Sequence, residues 1–367
     1  MTAPQSEPRP DPGPAGATMR ALVRDAYGSA DLLAVREVPR PVAGTGEVLV
    51  RVHGVGLDRG AWHIMTGRPY LMRLAGFGLR RPRNPGLGTE LAGVVAAVGA
   101  GVTGLAVGDA VYGAGTSAFA EYAVARRGAV ATKPANLSHE QAAAVPVSGV
   151  TALQALRDHG HLQPGQSVLV IGASGGVGSF AVQIAKALGG LVTGVASTGK
   201  LDFVRSLGVA DVIDYTAGDL ADSGHRYDLV LDAGGNRPLA ALRRLLTPKG
   251  TLVFVGGEGG GPVTGGLGRQ VRALALAPFV GQRLGSFWVA ACNTADLDTL
   301  RTMIEAGTVT PAVDRTCTLA DLPAAMADLD AGSVRGKVVA TVTGRGGGTG
   351  QPARRQRPAG PRRTVGP

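Results

Sequence analysis

The sequence predicts an α/β protein in which a mostly β domain precedes a doubly wound parallel sheet. Its 367 residues are enough for about two domains, each with a hydrophobic core of its own. Apolar residues make up 44% and charged residues 17%, a composition typical of globular chains. Near Asn136 a series of short strands gives way to alternating strands and helices, which indicates two kinds of domain.

Short strands and turns fill the first ordered segment, residues 19–136. Glu47–His53 alternates apolar and polar residues as a half-buried strand does, and Leu91–Gly99 ends at turn glycines. A mixed pattern returns after about Phe287 and ends on a predicted strand at Lys337–Val342.

Strands and helices alternate through residues 137–286. A β-branched strand at Ser167–Ile171 is followed by helical spacing over Ser179–Leu188. This alternation predicts βαβ units with right-handed crossovers and therefore a parallel sheet. Further strands are predicted at Leu191–Val195, Val212–Ile213, Asp228–Leu231 and Thr251–Val255.

Both ends of the chain are predicted to be disordered, because residues 1–18 and 344–367 have little to bury. Six arginines and no acidic residue follow Gly344, and without them the net charge falls from +10 to +4. Most of the excess positive charge therefore lies in the C-terminal tail. Nucleic acid is not an expected partner, apart from a weak attraction of this tail to phosphate groups or membranes.

We expect a cytoplasmic protein with no membrane partner. No apolar stretch approaches the roughly 18 residues of a membrane-spanning helix. The N-terminus also lacks the basic-then-apolar pattern of a secretory signal.

A glycine-rich loop after the strand Ser167–Ile171 gives the strongest functional signal. It opens a predicted helix, and this is the context of a dinucleotide site, where glycines let a pyrophosphate approach the helix N-terminus. Because its spacing departs from G-x-G-x-x-G, a glycine-rich turn without a ligand is the alternative. The residues assigned to the cofactor here are Ala173, Ser174, Gly175, Gly176, Val177 and Gly178.

The end of the next strand indicates which cofactor is used. NAD enzymes place a carboxylate about 20 residues after the loop, where it binds the ribose 2′-OH. Residues 196–200 instead contain Ser197, Thr198 and Lys200, whose hydroxyls and ammonium suit the 2′-phosphate of NADPH. The alternative is a capping hydroxyl beside a solvated lysine.

Two later strands also end in glycines. Ala233 and Gly234 follow one strand, and Gly256 and Gly257 follow the next. Ligands of open α/β sheets lie beyond the carboxyl ends of the strands, so we assign these four residues to the cofactor too. Each pair by itself could be a turn.

Several motifs along residues 19–342 carry a family resemblance. They include Gly46-Glu-Val-Leu-Val-Arg-Val, Gly88-Thr-Glu-Leu-Ala-Gly93, Val107-Gly-Asp-Ala-Val-Tyr112, Phe119-Ala-Glu-Tyr122, Thr151-Ala-Leu, the glycine loop, Gly208-Val-Ala-Asp-Val-Ile-Asp-Tyr215 and Arg335-Gly-Lys-Val-Val339. In their order and spacing the chain resembles the medium-chain dehydrogenase/reductase superfamily, close to its quinone reductase and zinc-independent alkene reductase branches.

The resemblance implies a GroES-like catalytic domain at residues 19–136, completed by residues 287–343. A Rossmann NADP-binding domain would occupy residues 137–286, with the active site in the cleft. It also implies that Ser197, Lys200 and Tyr215 meet the 2′-phosphate and that Thr151 lies near the nicotinamide. Quinone reductases of this kind often dimerise through the cofactor domain, which leaves a homodimer open.

No zinc site is expected. A catalytic zinc takes three Cys, His or acidic ligands, and a structural zinc in such enzymes takes a cysteine cluster. The only two cysteines, Cys292 and Cys317, lie 25 residues apart, and the six histidines show no paired metal spacing beyond His159-x-His161. Where zinc members of the superfamily have a Gly-His-Glu ligand stretch, this chain has Gly88-Thr89-Glu90.

Without zinc, hydride addition to a quinone or enone is easier than alcohol oxidation, because charge spreads onto a distal oxygen that a donor or water protonates. Matching with quinone reductases puts Asp58 at an Asn position, His63 at a frequent Tyr position, and Tyr70 at the end of the same loop. We take these three as catalytic candidates, with His63 as proton donor because histidine titrates near neutrality. A turn cap for Asp58 and a packed ring for His63 are the structural alternatives.

The leading hypothesis is an NADPH-dependent reductase of quinones or α,β-unsaturated carbonyls. The alternatives are a zinc-independent alcohol or aldehyde oxidoreductase and a non-catalytic NADPH-binding sensor. NADPH oxidation with a panel of quinones and enones separates the enzymes from the sensor. Residues 259–287, expected to line the cleft, contain no motif that identifies a substrate.

Overall fold

A computed structural model of the protein describes residues 16–209, 211–222, 224–235, 237–256, 261–286 and 291–342. The predicted disorder of residues 1–15 and 344–367 lies outside this range. Ordered structure was expected to begin at Met19, and the first strand in fact begins at Thr18.

The N-terminal segment consists mainly of β-strands, as its alternating pattern predicts. Its elements are β1 (Thr18–Val23), β2 (Ala34–Pro39), β3 (Glu47–Leu57), α1 (Arg59–Thr66), β4 (Glu90–Val98), β5 (Ala110–Ala114), β6 (Tyr122–Arg126), β7 (Val130–Thr132) and α2 (His139–Ala143).

The central segment alternates strands and helices. Its elements are α3 (Pro146–Gln154), β8 (Ser167–Ile171), α4 (Gly176–Ala187), β9 (Leu191–Ala196), α5 (Leu201–Ser206), β10 (Asp211–Asp214), β11 (Tyr227–Asp232), α6 (Leu239–Arg244), β12 (Leu246–Phe254), α7 (Leu267–Leu276) and β13 (Arg283–Ser286).

The return segment adds two helices and two strands, which are α8 (Thr294–Glu305), β14 (Val313–Thr318), α9 (Leu322–Asp330) and β15 (Lys337–Thr341). Single turns of 3₁₀ or π helix lie at Ala30–Leu32, Arg73–Phe77, Arg127–Ala129, Ala155–His159, Thr198–Lys200, Ala277–Phe279 and Leu319–Asp321.

The central segment forms a six-stranded sheet in the order β10–β9–β8–β11–β12–β13, with all neighbouring pairs parallel. The order reverses beside β8, which confirms the predicted doubly wound architecture. Val168, Leu169 and Val170 of β8 are fully buried, because helices cover both faces of the sheet.

The first and last segments share a second sheet, in which β15 lies between β14 and β3 and pairs antiparallel with β3. The sheet continues through β4, β5 and β7, while β6 lies beside β3. This pairing brings the residues just before β15 to the boundary between the two sheets. The helix α2 packs on β3 and β4 of this sheet. The helix α3 packs on α4, and both of these helices belong to the central segment.

A buried tyrosine joins the β-rich body to α8. The hydroxyl of Tyr112 on β5 donates to the carbonyl of Leu297, and both side chains are fully buried. Tyr112→Phe removes this buried hydrogen bond to the Leu297 carbonyl, so the free energy of unfolding in urea should fall by about 1–3 kcal/mol.

Tyr122→Phe provides the matched control. The ring of Tyr122 keeps its contact with the Arg40 guanidinium, 3.6 Å from the ring centroid, and its hydroxyl has no partner among the described residues. Equal losses of stability in the two variants would contradict a role for the Tyr112 hydrogen bond.

Candidate active site

The glycine loop lies between β8 and α4, as predicted. Gly172 has a φ of +81°, a conformation that favours glycine, and its carbonyl accepts from the backbone N–H of Gly175 at 3.0 Å. A Cβ on Gly178 would lie 2.0 Å from the Gly172 oxygen, so any larger residue would push the first turn of α4 off the strand. The loop thus directs the N-terminus of a 12-residue helix to the carboxyl edge of the sheet.

The ends of β11 and β12 lie beside this loop. Ala233 donates its N–H to the carbonyl of Ile171 at 3.0 Å, and a Cβ on Gly172 would meet the Gly234 nitrogen at 3.0 Å. A Cβ on Gly256 would lie 2.8 Å from the Ala233 oxygen. Three glycine-marked strand ends are therefore adjacent, while Gly257 lies outside the described residues.

A buried ion pair that the sequence analysis missed fixes these two strand ends. Asp232 is fully buried, and its carboxylate lies 2.7 Å from the guanidinium of Arg269 on α7. The carboxylate also accepts from the N–H of Gly235, and Arg269 donates to the carbonyl of Gly256. Asp232, a charged residue directly after a predicted buried strand, was the signal in the sequence that could have indicated this ion pair. Its partner Arg269 lies 37 residues away, so no local pattern identifies it.

A second buried ion pair lies within the catalytic sheet and also binds the start of α3. The Lys337 ammonium on β15 contacts the Glu90 carboxylate on β4, and both side chains are almost completely buried. Glu90 also accepts from the N–H groups of Val147 and Ser148 at the start of α3, at 2.8 and 3.2 Å. Burial raises the pKa of Glu90 to about 7, although the nearby Lys337 opposes the rise.

The glycine loop contacts this pair directly. The N–H of Gly336 donates to the carbonyl of Ser174 at 2.8 Å. A Cβ on Gly176 would meet Lys337 Cδ and Ser148 Oγ at 3.1 Å each. The cofactor loop is therefore packed against the return segment as well as its own helix.

The residues predicted to bind a 2′-phosphate lie on the turn Thr198–Lys200 after β9. The ammonium of Lys200 donates to the carbonyls of Gly332 and Val334, at 2.6 and 2.8 Å, in the loop before β15. An ammonium has three donors, so one remains for a ligand. Burial lowers the pKa of Lys200, and the nearby cation Arg335 lowers it further.

A carboxylate from the neighbouring strand also reaches this turn. Thr198 donates its hydroxyl to Asp214 at the end of β10, and Asp214 also accepts from the backbone N–H and hydroxyl of Thr216. These hydrogen bonds lower the pKa of Asp214, which is therefore ionised. Asp214 was not among the predicted site residues, because it belongs to the next strand and lies outside residues 196–200.

The other three residues assigned by resemblance are Tyr215, Ser197 and Thr151. Tyr215 follows β10, is about half exposed, and donates its N–H to the carbonyl of Ala196 at 3.2 Å. Ser197 precedes the turn, and its carbonyl accepts from the N–H of Lys200. Thr151 is buried within α3, the helix whose N-terminus binds Glu90.

Asp58, a catalytic candidate, is the N-cap of α1. One carboxylate oxygen accepts from the N–H of Ala61 at 2.8 Å, and the other accepts from the hydroxyl of Thr89 at 3.2 Å. Such a cap stabilises a helix by about 1 kcal/mol. Because both oxygens are engaged and the residue is buried, the geometry favours the structural alternative for Asp58.

His63 and Tyr70 lie at the other end of α1, near its C-terminal loop. His63 Nδ1 is 2.8 Å from the carbonyl of Arg68, which can only accept, so Nδ1 carries the proton. The neutral ring thus presents a lone pair at Nε2, and only the imidazolium could donate there. The Tyr70 ring lies 4.5 Å from the Arg73 guanidinium, and its backbone N–H donates to the carbonyl of Pro262 across the cleft.

A cavity of about 210 Å³ opens beside these residues in the catalytic body. None of the three catalytic candidates lines it, so the structure does not bring them together around one cavity. A larger cleft of about 800 Å³ lies at the opposite, amino edge of the cofactor sheet, away from the glycine loop. The smaller cavity is lined by Arg24, Ile64, Phe77, Arg83, Asn84, Thr89, Thr116, Ser117 and neighbouring residues.

Comparisons with known proteins agree with this geometry. The model of the alcohol dehydrogenase GroES-like domain matches residues 44–135, and that of the zinc-binding dehydrogenase matches residues 207–339. The chloroplastic quinone oxidoreductase QR1 of Triphysaria versicolor is 34% identical over 66% of this chain and 76% of its own length. The mitochondrial NAD(P)H oxidoreductase RTN4IP1 of Bos taurus is 31% identical over 90% of both chains. The structure of the quinone oxidoreductase from Coxiella burnetii superposes with a TM-score of 0.78 at 26% identity, covering 89% of this chain and 100% of that one.

The chain belongs to the medium-chain dehydrogenase/reductase superfamily, with a GroES-like domain and a Rossmann-like parallel sheet. Within the superfamily it is quinone-oxidoreductase-like, an oxidoreductase with a nicotinamide cofactor. The resemblance found from the sequence motifs is thereby confirmed.

One of the two matching family models is described as a zinc-binding dehydrogenase, but the residues of this chain do not fit a zinc ion. Thr89, at the ligand position, donates to Asp58, and the following Glu90 is neutralised by Lys337. Burial raises the pKa of the Cys292 and Cys317 thiols to about 12 and about 11, so both stay protonated. Within the described ranges, no group of three or more His, Cys, Asp or Glu side chains could hold a metal ion.

The Glu90–Lys337 pair predicts a distinctive pH dependence of stability. Lys337→Met removes the cation that lowers the pKa of Glu90, so this pKa should rise above about 7. The unfolded carboxyl is ionised throughout this range. The folded variant must therefore hold a proton that the unfolded chain releases, and its stability falls as pH rises by up to about 1.4 kcal/mol per unit.

Urea unfolding at pH 7 and 8.5 measures this slope. Lys337→Met should lose about 1–2 kcal/mol more than the wild type between the two values. The double variant Glu90→Gln with Lys337→Met should lack the extra slope because it has no carboxyl. If Lys337→Met and the double variant have the same slope, the pair is not coupled in this way.

Proposed function

We propose that the protein is an NADPH-dependent reductase of quinones or α,β-unsaturated carbonyls that works without zinc. The observation that carries the proposal is the glycine-lined carboxyl edge of the cofactor sheet, packed against a catalytic sheet whose zinc-ligand position holds Thr89. The quinone oxidoreductases among its relatives support the same assignment. Residues 19–136 and 287–343 would form the catalytic body and residues 137–286 the cofactor body of a cytoplasmic protein.

The cofactor would be held mainly by backbone groups. Residues 173–178 would bind the pyrophosphate at the N-terminus of α4, where the helix dipole and N–H groups favour negative charge. Gly234 and Gly256 leave the adjoining strand ends open, and Thr151 would lie near the nicotinamide. Once bound, the nicotinamide supplies the hydride for the reduction.

The catalytic body would then exclude water and supply polar contacts to the reduced oxygen. The cavity beside Thr89 and Ser117 combines hydroxyls with apolar walls from Ile64 and Phe77. His63 remains the proposed proton donor, acting as the imidazolium with Arg68 orienting its ring. Tyr70 is the second candidate on the same loop, and Asp58 would act by fixing the start of α1.

For NADPH rather than NADH, the proposal rests on two cations. Lys200 keeps one donor beyond its two carbonyl partners, and Arg335 is close enough to lower its pKa. Ser197 and Tyr215 would add polar contacts to the 2′-phosphate. The Asp214 carboxylate on the same turn opposes phosphate binding, so the preference should be moderate and adjustable.

A homodimer through the cofactor body is proposed as the assembly. β13 is an edge strand, so its outer backbone groups can pair with another strand. Beside it, α7 exposes Val271 and Leu274 three residues apart on one face, and Phe279 follows with 82% exposure. A second copy would cover both features.

A substrate panel tests the proposed reaction. Purified protein should oxidise NADPH with quinones or enones, contain well under one zinc per chain, and keep its activity in a chelator. His63→Phe should lower enone turnover by roughly 10²-fold or less, because solvent can replace a general acid worth ~10²–10⁴. Stoichiometric zinc with chelator-sensitive turnover would refute the zinc-free mechanism, and cofactor binding without turnover on any panel member would favour the sensor.

The carboxylate and hydroxyl on the turn after β9 test cofactor choice. Asp214→Asn keeps an acceptor for Thr198 but removes the charge, so KM for NADPH should fall about 3- to 10-fold with little change for NADH. Ser197→Asp should have the opposite effect by roughly 10- to 100-fold, because it repels the phosphate and accepts from a free ribose hydroxyl. Asp211→Asn, at the exposed start of β10, is the control. Equal shifts for both cofactors would place the phosphate pocket elsewhere.

A further inference from the structure

A loop on the outer surface of the catalytic body combines exposed apolar side chains with unpaired arginines. We call residues 68–83 the arginine-leucine loop; it follows α1 and contains the π turn Arg73–Phe77. Leu74 and Leu79 are 70% and 63% exposed, and Leu71 and Phe77 are also exposed. Burying such side chains on a partner is favourable, and clustered exposed apolar residues mark interaction sites.

The charge on this loop has one sign. No aspartate or glutamate occurs in residues 59–89. Arg68, Arg80, Arg81 and Arg83 are exposed, and their guanidinium groups form no hydrogen bond or ion pair with the described residues. The loop therefore presents a cationic surface that its own fold leaves unneutralised.

The loop is also held in shape before any partner arrives. The single hydroxyl proton of Tyr27 is shared between the carbonyl oxygens of Phe77 and Gly78, which lie 2.7 and 2.8 Å from the hydroxyl oxygen. Arg73 stacks on Tyr27 and donates to the carbonyl of Gly67 at 2.9 Å. Because these contacts fix the backbone, binding would not have to order the segment first.

We propose that the arginine-leucine loop docks the protein on the surface of an anionic lipid bilayer. Leucine and phenylalanine side chains would enter the boundary between headgroups and acyl chains, and the arginines would contact the phosphates. The pattern fits a bilayer better than an acidic protein, because apolar and cationic groups alternate over one short exposed loop. No membrane partner was expected because no segment can span a bilayer, but surface docking needs no such segment. Among the described residues, no helix is long and apolar enough to cross a membrane.

Docking would bring the candidate active site to the lipid surface. Phe77 and Arg83 belong to the loop and also line the cavity of about 210 Å³. Leu71 donates its backbone N–H to the carbonyl of Val263, a half-exposed residue of the facing cofactor-body loop. The cavity wall and the docking surface are thus two sides of one segment.

Vesicle co-sedimentation of the full chain tests the proposal. The probes are sucrose-loaded vesicles of phosphatidylcholine alone and of phosphatidylcholine with an equal part of phosphatidylglycerol. Wild type should bind the anionic vesicles, bind phosphatidylcholine weakly, and lose binding at high salt as screening shortens the range of the charges. The double variants Leu74→Ser with Leu79→Ser, and Arg80→Gln with Arg81→Gln, should each raise the lipid concentration for half-binding by about tenfold or more.

Matched variants at exposed positions outside the loop control for the general loss of apolar side chains and of positive charge. Val42 and Leu191 are similarly exposed, so Val42→Ser with Leu191→Ser should change binding less than about twofold, as should Arg126→Gln with Arg205→Gln. NADPH oxidation by a water-soluble quinone should persist in all four variants, since none of these residues lines the cavity. That readout separates failure of docking from failure of the proposed reaction.

Three results would overturn the proposal. One is a wild type that does not bind anionic vesicles. Another is equal binding by the loop variants and the wild type, which would assign attraction to other cations such as the six arginines after Gly344. The third is a change of oligomeric mass in the Leu74 and Leu79 variant without a change in vesicle binding, which would show that the loop contacts protein.

Discussion

The buried ion pair between Lys337 and Glu90 is the contact on which the junction between the catalytic sheet and the helix α3 depends. It joins strands that lie 247 residues apart in the chain, and Glu90 also caps the start of α3. Burying two charges costs several kcal/mol per ion unless each is paired and hydrogen-bonded, and removal of one partner leaves the other uncompensated. Both conditions are met here, so the pair fixes the return strand, the catalytic sheet and the glycine loop in one geometry.

The shape of the carboxyl edge of the cofactor sheet depends more on close backbone contacts at glycines than on side-chain chemistry. At Gly178 and Gly256 a Cβ would collide with neighbouring backbone oxygens, so α4 approaches the end of β8, and the ends of β11 and β12 approach each other, more closely than other residues allow. The ion pair between Asp232 and Arg269 then holds the ends of β11 and β12 in place. An edge made of backbone groups suits a ligand whose charge is spread over a pyrophosphate.

Some polar residues of the catalytic body stabilise its fold, and others are exposed on its surface. Asp58 and Thr89 bond to each other and stabilise the start of α1, at a position where zinc relatives use a metal ligand. The other end of α1 leads into the arginine-leucine loop, whose inner side lines the cavity and whose outer side meets solvent. The cavity wall and the exposed surface therefore belong to one segment.

The sequence by itself determined the features that depend on local pattern. Strand alternation, the switch to strand–helix units, and the glycine loop between Ile171 and Gly176 follow from periodicity and backbone sterics, which act over a few residues. The tertiary structure decided which side chains meet. Asp214 reaches Thr198 from another strand, Lys200 binds carbonyls of the return segment, and Glu90 meets Lys337 across the chain. Such pairings depend on strand order and burial, and no local pattern encodes them, because the desolvation that makes them strong arises only when distant segments pack together.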